Sequence, residues 1–345
     1  MINKDIIASW IETYINDNPS SLLMCEGIQD GFYGTIPNIS QINNPERLIE
    51  LPISEAASIG MAIGASQFGV KPIVCFQRVE FGILALDQLI TNGSKIGLLT
   101  GNKYPCSLLL RMVIGRGWGQ GPLHSQSFES IWNCIPGLKV FMPSSAEDYL
   151  ECFDFFKNNM GVVISLEHRW THMINQYSFG KLSVLPAKAE PLVTIYSYSF
   201  NSAVAARVKQ KLQEINIEVE CIHENSFLSS YNSLKASVAR TNKLITIDIG
   251  SSRLGLGGEV VAKLIEDKSI DNNFSCCRLG TPWELAPAQP ELTKNHFPNE
   301  LMLYEAVRNL LPSQYENKIG LLISNVKAEF KSPCDVPDRS FTGPF

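Results

Sequence analysis

Along this chain the spacing of apolar residues switches repeatedly between a helical and an extended period. Residues 5–15 (DIIASWIETYI) set apolar side chains three and four apart and predict an amphipathic helix. Residues 21–25 (SLLMC) form a short apolar run of strand length. Further extended runs are predicted over 48–53, 71–76, 108–113, 138–142 and 162–167, with helices over 56–68, 83–95, 127–133 and 148–157. Residues 26–41, rich in glycine and asparagine, read as loop. The helix over 56–68 is built of small residues, with Gly60 and Gly64 four apart. Such glycines lower helix propensity and suit close approach of another backbone.

Residues 176–191 (QYSFGKLSVLPAKAEP) carry neither period and predict a linker. The alternation then resumes, with strands over 193–196, 218–222 and 244–248 and helices over 203–215, 234–239 and 258–266. After residue 311 it fades, and 312–345 predict an extended tail. Strand-helix alternation of this kind implies an α/β chain of two domains, 1–175 and 192–311, each a mainly parallel sheet flanked by helices.

Composition narrows the function classes. The chain has 345 residues, 45% apolar and 18% charged, enough for two ordinary cores. Its net charge of −5 argues against a nucleic-acid-binding surface. No run approaches the length of a membrane span, and the first residues, MINKDIIASWIETY, lack a signal-peptide profile, so a cytoplasmic location is expected. The nine cysteines are scattered without a C-x-x-C pair, and Cys276 adjoins Cys277, which suits reduced thiols better than zinc or an ordinary disulfide. His168 and His172 are four apart but fall at a strand-to-loop transition, so no metal site is expected there.

Three segments carry candidate chemistry. The first is GRGWGQGPLHSQ, residues 115–126, where Gly115, Gly117, Gly119 and Gly121 alternate with other residues ahead of His124, Ser125 and Gln126. A dense glycine run marks a loop that needs unusual dihedrals or close approach to a ligand. It follows a predicted strand, where α/β folds place their sites, and His124 there is either a proton-transferring group or a satisfied structural residue. The second is PISEAASIGMAIGAS, residues 52–66. Glu55 opens its helix, either as an acid complementing the helix dipole or as a carboxyl exchanging a proton with a heterocyclic ligand. The third is FQRVEFGILALDQL, residues 76–89. Here Gln77, Arg78 and Glu80 crowd polar groups at a strand end, while Phe81, Leu84, Ala85 and Gln88 share a helix face. By contrast GLGG, 255–258, lacks the lysine of a phosphate loop and reads as a tight strand-helix turn.

Taken in order, PISEAASIGMAIGAS, FQRVEFGILALDQLITNGSK, GPLHSQSFESIWNCIPGLKVFMPSSAEDYL and VISLEH resemble the β subunit of the thiamine-diphosphate-dependent 2-oxoacid dehydrogenases of pyruvate, branched-chain and acetoin type. That family is related to the central part of transketolase. DIGSSRLGLGGEVVAKLIE and RLGTPWELAPAQPELTKNHFPNELMLYEAV resemble its carboxy-terminal domain, so the likeness runs over about 5–311. The resemblance implies a pyrimidine-binding domain followed by a transketolase-type carboxy-terminal domain. Glu55 is similar to the glutamate that hydrogen-bonds the aminopyrimidine nitrogen of the cofactor and so activates its thiazolium carbon. Phe81 corresponds to an aromatic stacked on the pyrimidine, with Gln77 beside it, and His124 to a histidine facing the substrate.

Two departures stand out. Relatives usually carry an aromatic where this chain has Arg78; a guanidinium there either recognises an anionic substrate group or pairs with Glu80. The loop that holds a monovalent cation in the family reads FFKNNMGVV here, 155–163, with Met160 at a position often occupied by asparagine. The resemblance also implies a G-D-G motif for Mg²⁺ and diphosphate, and this chain has none. It is therefore expected to supply the pyrimidine half of a site completed by an α subunit, as two α and two β chains, and to pass the acyl group to a lipoyl acyltransferase or another acceptor. The rivals are the carboxy-terminal half of a split transketolase or acyloin-forming transferase, and a non-catalytic assembly subunit.

Overall fold

Two parallel sheets carry the two halves of the chain in the computed structural model, which describes residues 2–117, 119–174, 189–267 and 273–329. By contacts the chain divides into two units, the first comprising residues up to 115 and 126–178, the second residues 116–125 and 179–344. The predicted linker lies almost wholly outside the described residues.

In the first unit, β1 (Ser21–Cys25), β2 (Leu48–Glu50), β3 (Lys71–Phe76), β4 (Ser107–Ile114), β5 (Leu138–Phe141) and β6 (Gly161–His168) form one sheet in the order β2-β1-β3-β4-β6-β5. Every pairing is parallel. All eight residues of β4 are buried, which is why its sequence is apolar except for Ser107 and Arg111. Helix α1 (Asn3–Asp17) lays Ile7, Ile11, Tyr14 and Ile15 into a core shared with Tyr149, Phe153 and Phe156 of α5 (Ala146–Asn158). A capping box between Ser145 and Asp148 starts α5. The small-residue helix α2 (Glu55–Gln67) and the short α3 (Val79–Gly82) and α4 (Glu129–Asn133) complete the labelled helices of this unit.

The second unit is built on β7 (Val193–Tyr198), β8 (Val219–Glu224), β9 (Lys243–Ser251) and β10 (Ser275–Thr281), ordered β10-β9-β7-β8 and again parallel. Helices α6 (Phe200–Glu214), α7 (Tyr231–Thr241), α8 (Leu256–Glu266), α9 (Glu300–Leu310) and α10 (Glu316–Glu329) belong to it. GLGG opens α8 rather than forming the turn before it: Gly255 is the N-cap, and Leu256, Gly257 and Gly258 are the first helical residues. Among the described residues no helix is long and apolar enough to cross a membrane.

Beyond the unpredicted β10 and α9, the structure departs from the sequence expectations over 83–95 and 316–329. Residues 83–95 are not one α-helix: a 3₁₀ turn at Ile83–Ala85 is followed by a π-helical stretch at Gln88–Gly93. Gly93 there lies against Val162 and Ile63, so near that an added Cβ would meet them at 3.0 and 3.3 Å. Residues 316–329, assigned to an extended tail, form a helix that buries Ile319, Leu322 and Ile323. Its apolar residues Ile319, Leu322, Ile323 and Val326 stand at helical spacing, so this helix is legible in the sequence once they are read together.

Candidate active site

Parallel strands deliver their C-terminal ends to one edge of a sheet, and the candidate residues of the first unit follow those ends. Glu26 follows β1, Glu50 closes β2, Gln77 and Arg78 follow β3, Gly115 follows β4, and Arg169 follows β6. Glu55 opens α2 immediately after the β2 connection and is buried. Two backbone amides fix the neighbouring turn: Gly27 and Ile28 donate to the Glu50 carboxylate at 2.7 and 2.8 Å. Gln77 donates its side-chain amide to the carbonyl of Glu26 at 2.7 Å, and its backbone N–H points at the Glu26 carboxylate at 3.5 Å.

Glu26 is the residue the sequence reading missed. Burial, then the negative charge of Glu55, push its carboxyl up to about 7, while the Gln77 N–H works in the opposite direction and Glu50 adds a smaller push. A carboxyl in this state can hold or release a proton near neutral pH. Its only sequence signal is its place, one residue beyond an apolar strand.

Arg78 is buried and donates to the carbonyl of Gly115 at 3.3 Å. Glu80 accepts from the Gln126 backbone N–H at 2.9 Å. Burial holds Glu80 above the usual carboxylate range, although that amide and the charge of Arg78 pull it down. The carboxylate of Glu80 therefore anchors the chain two residues beyond His124. Phe81 is half-buried on α3, whose approach to β4 depends on Gly82: a Cβ there would lie 2.2 Å from the sulfur of Met112.

The glycine loop behaves as its composition requires. Gly115, Gly117, Gly119 and Gly121 all have positive φ, at 101°, 140°, 72° and 60°. Residues 116–125, His124 included, group with the second unit, whereas Gly115 and Gln126 belong to the first. Within the second unit Gly119 and Gly121 lie against Ala288, and the Arg116 guanidinium sits 4.3 Å from the ring centre of Phe297. His124 is half-buried at the end of the Gly121–Leu123 turn. The structure thus brings Glu55, Gln77, Arg78 and Glu80 together in one unit and assigns His124 to the other.

Behind this edge lies an ion cluster. Arg111, fully buried, donates to both carboxylate oxygens of Glu167 at 2.7 and 2.8 Å and to the Thr35 hydroxyl at 2.9 Å. His172 sits 2.9 Å from the same carboxylate. The Arg111 charge and hydrogen bonds outweigh burial and hold Glu167 down at about 2, whereas burial lowers His172 despite its carboxylate neighbour. His168 instead accepts from the Trp170 N–H at 3.2 Å, so the two histidines do not share a ligand position. Among the described residues no group of three or more His, Cys, Asp or Glu is placed to hold a metal ion.

Residues 3–169 match the model of the transketolase pyrimidine binding domain, and residues 180–301 that of the transketolase C-terminal domain. The chain belongs to the transketolase family. Among its relatives, the pyruvate dehydrogenase E1 component subunit beta of Saccharomyces cerevisiae is 29% identical over 77% of this chain and 76% of its own length. The corresponding subunit of Rickettsia felis is 26% identical over 81% of this chain and 88% of its own. In structure, a chain described as split gene transketolase, inactive beta4 tetramer, has a TM-score of 0.71 at 16% identity, covering 90% of this chain and 98% of that one. Transketolase from Campylobacter jejuni has a TM-score of 0.57 at 14% identity, over 76% of this chain and 44% of its own. At these identities the structural likeness establishes the fold alone. All the candidate side chains, His124 included, fall inside the pyrimidine-binding match of this transketolase-family chain.

Proposed function

We propose that this chain is the β subunit of a heteromeric thiamine-diphosphate enzyme that decarboxylates a 2-oxoacid and passes the acyl group to a lipoyl carrier or another acceptor. The observation that carries the reading is Glu55: a buried carboxylate opening α2 inside the matched pyrimidine-binding segment, with a second carboxylate, Glu26, that protonates near neutrality. That donor set fits a protonatable heterocycle, and half-buried Phe81 fits its flat face. When bound, thiamine diphosphate supplies a carbon nucleophile and takes up the electrons released as CO₂ leaves.

In this reading Glu55 exchanges a proton with the ring nitrogen and Phe81 stacks on the pyrimidine. Gln77 holds the β1 turn that carries Glu26, and His124 moves a proton at the substrate. A partner α subunit holds Mg²⁺ and the diphosphate, in an assembly of two α and two β chains. The α5–β6 turn is the candidate monovalent-cation loop. The free cysteines among the described residues support a reducing compartment, the cytoplasm. The test is reconstitution with an α subunit and a screen of 2-oxoacids. Glu55→Gln should fall below about a tenth of the wild-type rate, against the roughly 10²–10⁴-fold worth of general acid–base groups. A retained rate makes Glu55 a helix-end acid. Turnover of ketose donors alone replaces the reading with a split transketolase.

A further inference from the structure

Both ends of the glycine loop, residues 116–125, are held by one short segment of the first unit. Ordering a residue costs about 1–2 kcal/mol of backbone entropy, and glycine loses the most. Gly117, Gly119 and Gly121 lie inside this loop at positive φ, so its shape depends on how its ends are anchored. On one side the Gly115 carbonyl accepts from the Arg78 guanidinium at 3.3 Å. On the other the Gln126 backbone N–H donates to the Glu80 carboxylate at 2.9 Å. Each bond pairs a charged side chain with a neutral backbone group. Gly115, Gln126, Arg78 and Glu80 all belong to the first unit. Arg78 and Glu80 are two residues apart, so their Cα atoms lie at most about 7 Å from one another.

Packing fixes that segment in turn. Arg78, extended at φ −145° and ψ 151°, caps α3, and Glu80 lies in the first turn. Arg78 is 3% exposed, and Val79 between the two is fully buried. Gly82 seats α3 against both neighbours of the loop. An added Cβ there would lie 2.2 Å from the Met112 sulfur of β4, which leads into the loop, and 3.2 Å from Trp132 of α4, which follows it. The charge of Arg78 also favours ionised Glu80, so each arm supports the other. Gln77 precedes Arg78 and Phe81 follows Glu80, so the segment that anchors the loop also carries two of the candidate cofactor residues.

We propose that Arg78 and Glu80 are positioning residues that clamp the base of the glycine loop and so hold His124, two residues before Gln126, for its proton transfer. Resting on the role given to His124 above, this sets the Arg78 guanidinium to work on the protein's own backbone and not on a substrate anion.

The purified full chain is digested with trypsin under native conditions as wild type, Arg78→Met, Glu80→Leu and Glu80→Gln. Cleavage after Arg116, inside the loop, is timed by mass spectrometry. Methionine and leucine each remove one arm, whereas glutamine keeps the acceptor. Cleavage after Arg116 should rise about 10-fold or more in Arg78→Met and Glu80→Leu, the loss typical of a charge-assisted hydrogen bond, and stay near wild type in Glu80→Gln. Cleavage at the other lysines and arginines of the first unit should not follow, which separates a loosened loop from a lost fold. If Arg78→Met does not fold, the two Glu80 variants carry the test. An unchanged rate after Arg116, or an equal rise at every site, overturns the clamp. In the reconstituted complex kcat should fall about 10-fold in Arg78→Met and Glu80→Leu at unchanged KM for thiamine diphosphate, with Glu80→Gln close to wild type. In a His124→Ala background the same substitutions should bring no further loss. Losses that add to that of His124→Ala overturn the positioning role. A KM change in Arg78→Met confined to dianionic 2-oxoacids also overturns it and assigns the guanidinium to the substrate. Faster loop cleavage in a complex that turns over no 2-oxoacid leaves the clamp standing and refutes the proposed reaction.

Discussion

Glu26→Gln is expected to stabilise the folded chain above neutral pH, because the native structure resists ionising this carboxyl. In the unfolded chain it releases its proton near its ordinary value of 4.5, and in the fold it keeps it to about 7. Between those values the unfolded state binds fewer protons than the native one, so stability falls as pH rises from 4.5 and levels off beyond 7. At about 1.36 kcal/mol per tenfold change in proton affinity, the full difference is roughly 3 kcal/mol. Screening by water at the sheet edge reduces this to about 1–2 kcal/mol. Glutamine keeps an acceptor for the Gln77 N–H and has no charge to bury. Urea denaturation of both proteins at about pH 5 and pH 8 measures the effect. The two should agree within about 0.5 kcal/mol at the lower pH, with the variant ahead by about 1–2 kcal/mol at the higher. The push from Glu55 should appear too: in a Glu55→Gln background the advantage shrinks. An advantage of the same size at both pH values would refute a neutral Glu26 and leave only a packing difference.

Three further outcomes concern the scaffold. Arg111→Met strands the Glu167 carboxylate among buried groups and should cost about 3–5 kcal/mol by denaturant titration at neutral pH. Glu167 titrates at about 2 in the fold against 4.5 unfolded, so its contribution is complete above 4.5 and the gap to wild type should narrow as pH falls below that. His172, held neutral by burial, adds a separate loss of stability below about 6.5, because the unfolded chain takes up a proton there. Gly115→Ala, at φ 101° and with the His168 ring in the path of its Cβ, should cost clearly more than Gly69→Ala, at φ 86° with open space around it, for which about 1–2 kcal/mol is expected. Equal thermal shifts in the two variants would show that the loop yields to the added methyl.

The sequence alone determined the elements whose burial is one-sided or complete. The strands over 21–25 and 71–76 lie within the predicted spans because parallel strands covered on both faces are written as continuous apolar runs. The need for glycine at 115, 117, 119 and 121 was equally legible, since positive φ is a local property of the backbone. Glu55, Gln77 and Phe81 were found as candidates through their strand-end and helix-start positions and through a family resemblance. What the pattern could not carry was anything set by a distant partner. Strand β10 (SCCRLGT), at the edge of its sheet and partly exposed, has no apolar alternation and exists through its register with β9. The segment over 83–95 is rewound where Gly93 meets Val162. The proton affinity of Glu26 depends on its distance from Glu55 and Glu50, and the nearness of Arg169 to Arg78 depends on strand order, β3-β4-β6. Charges act through space, and only the fold decides which of them are neighbours.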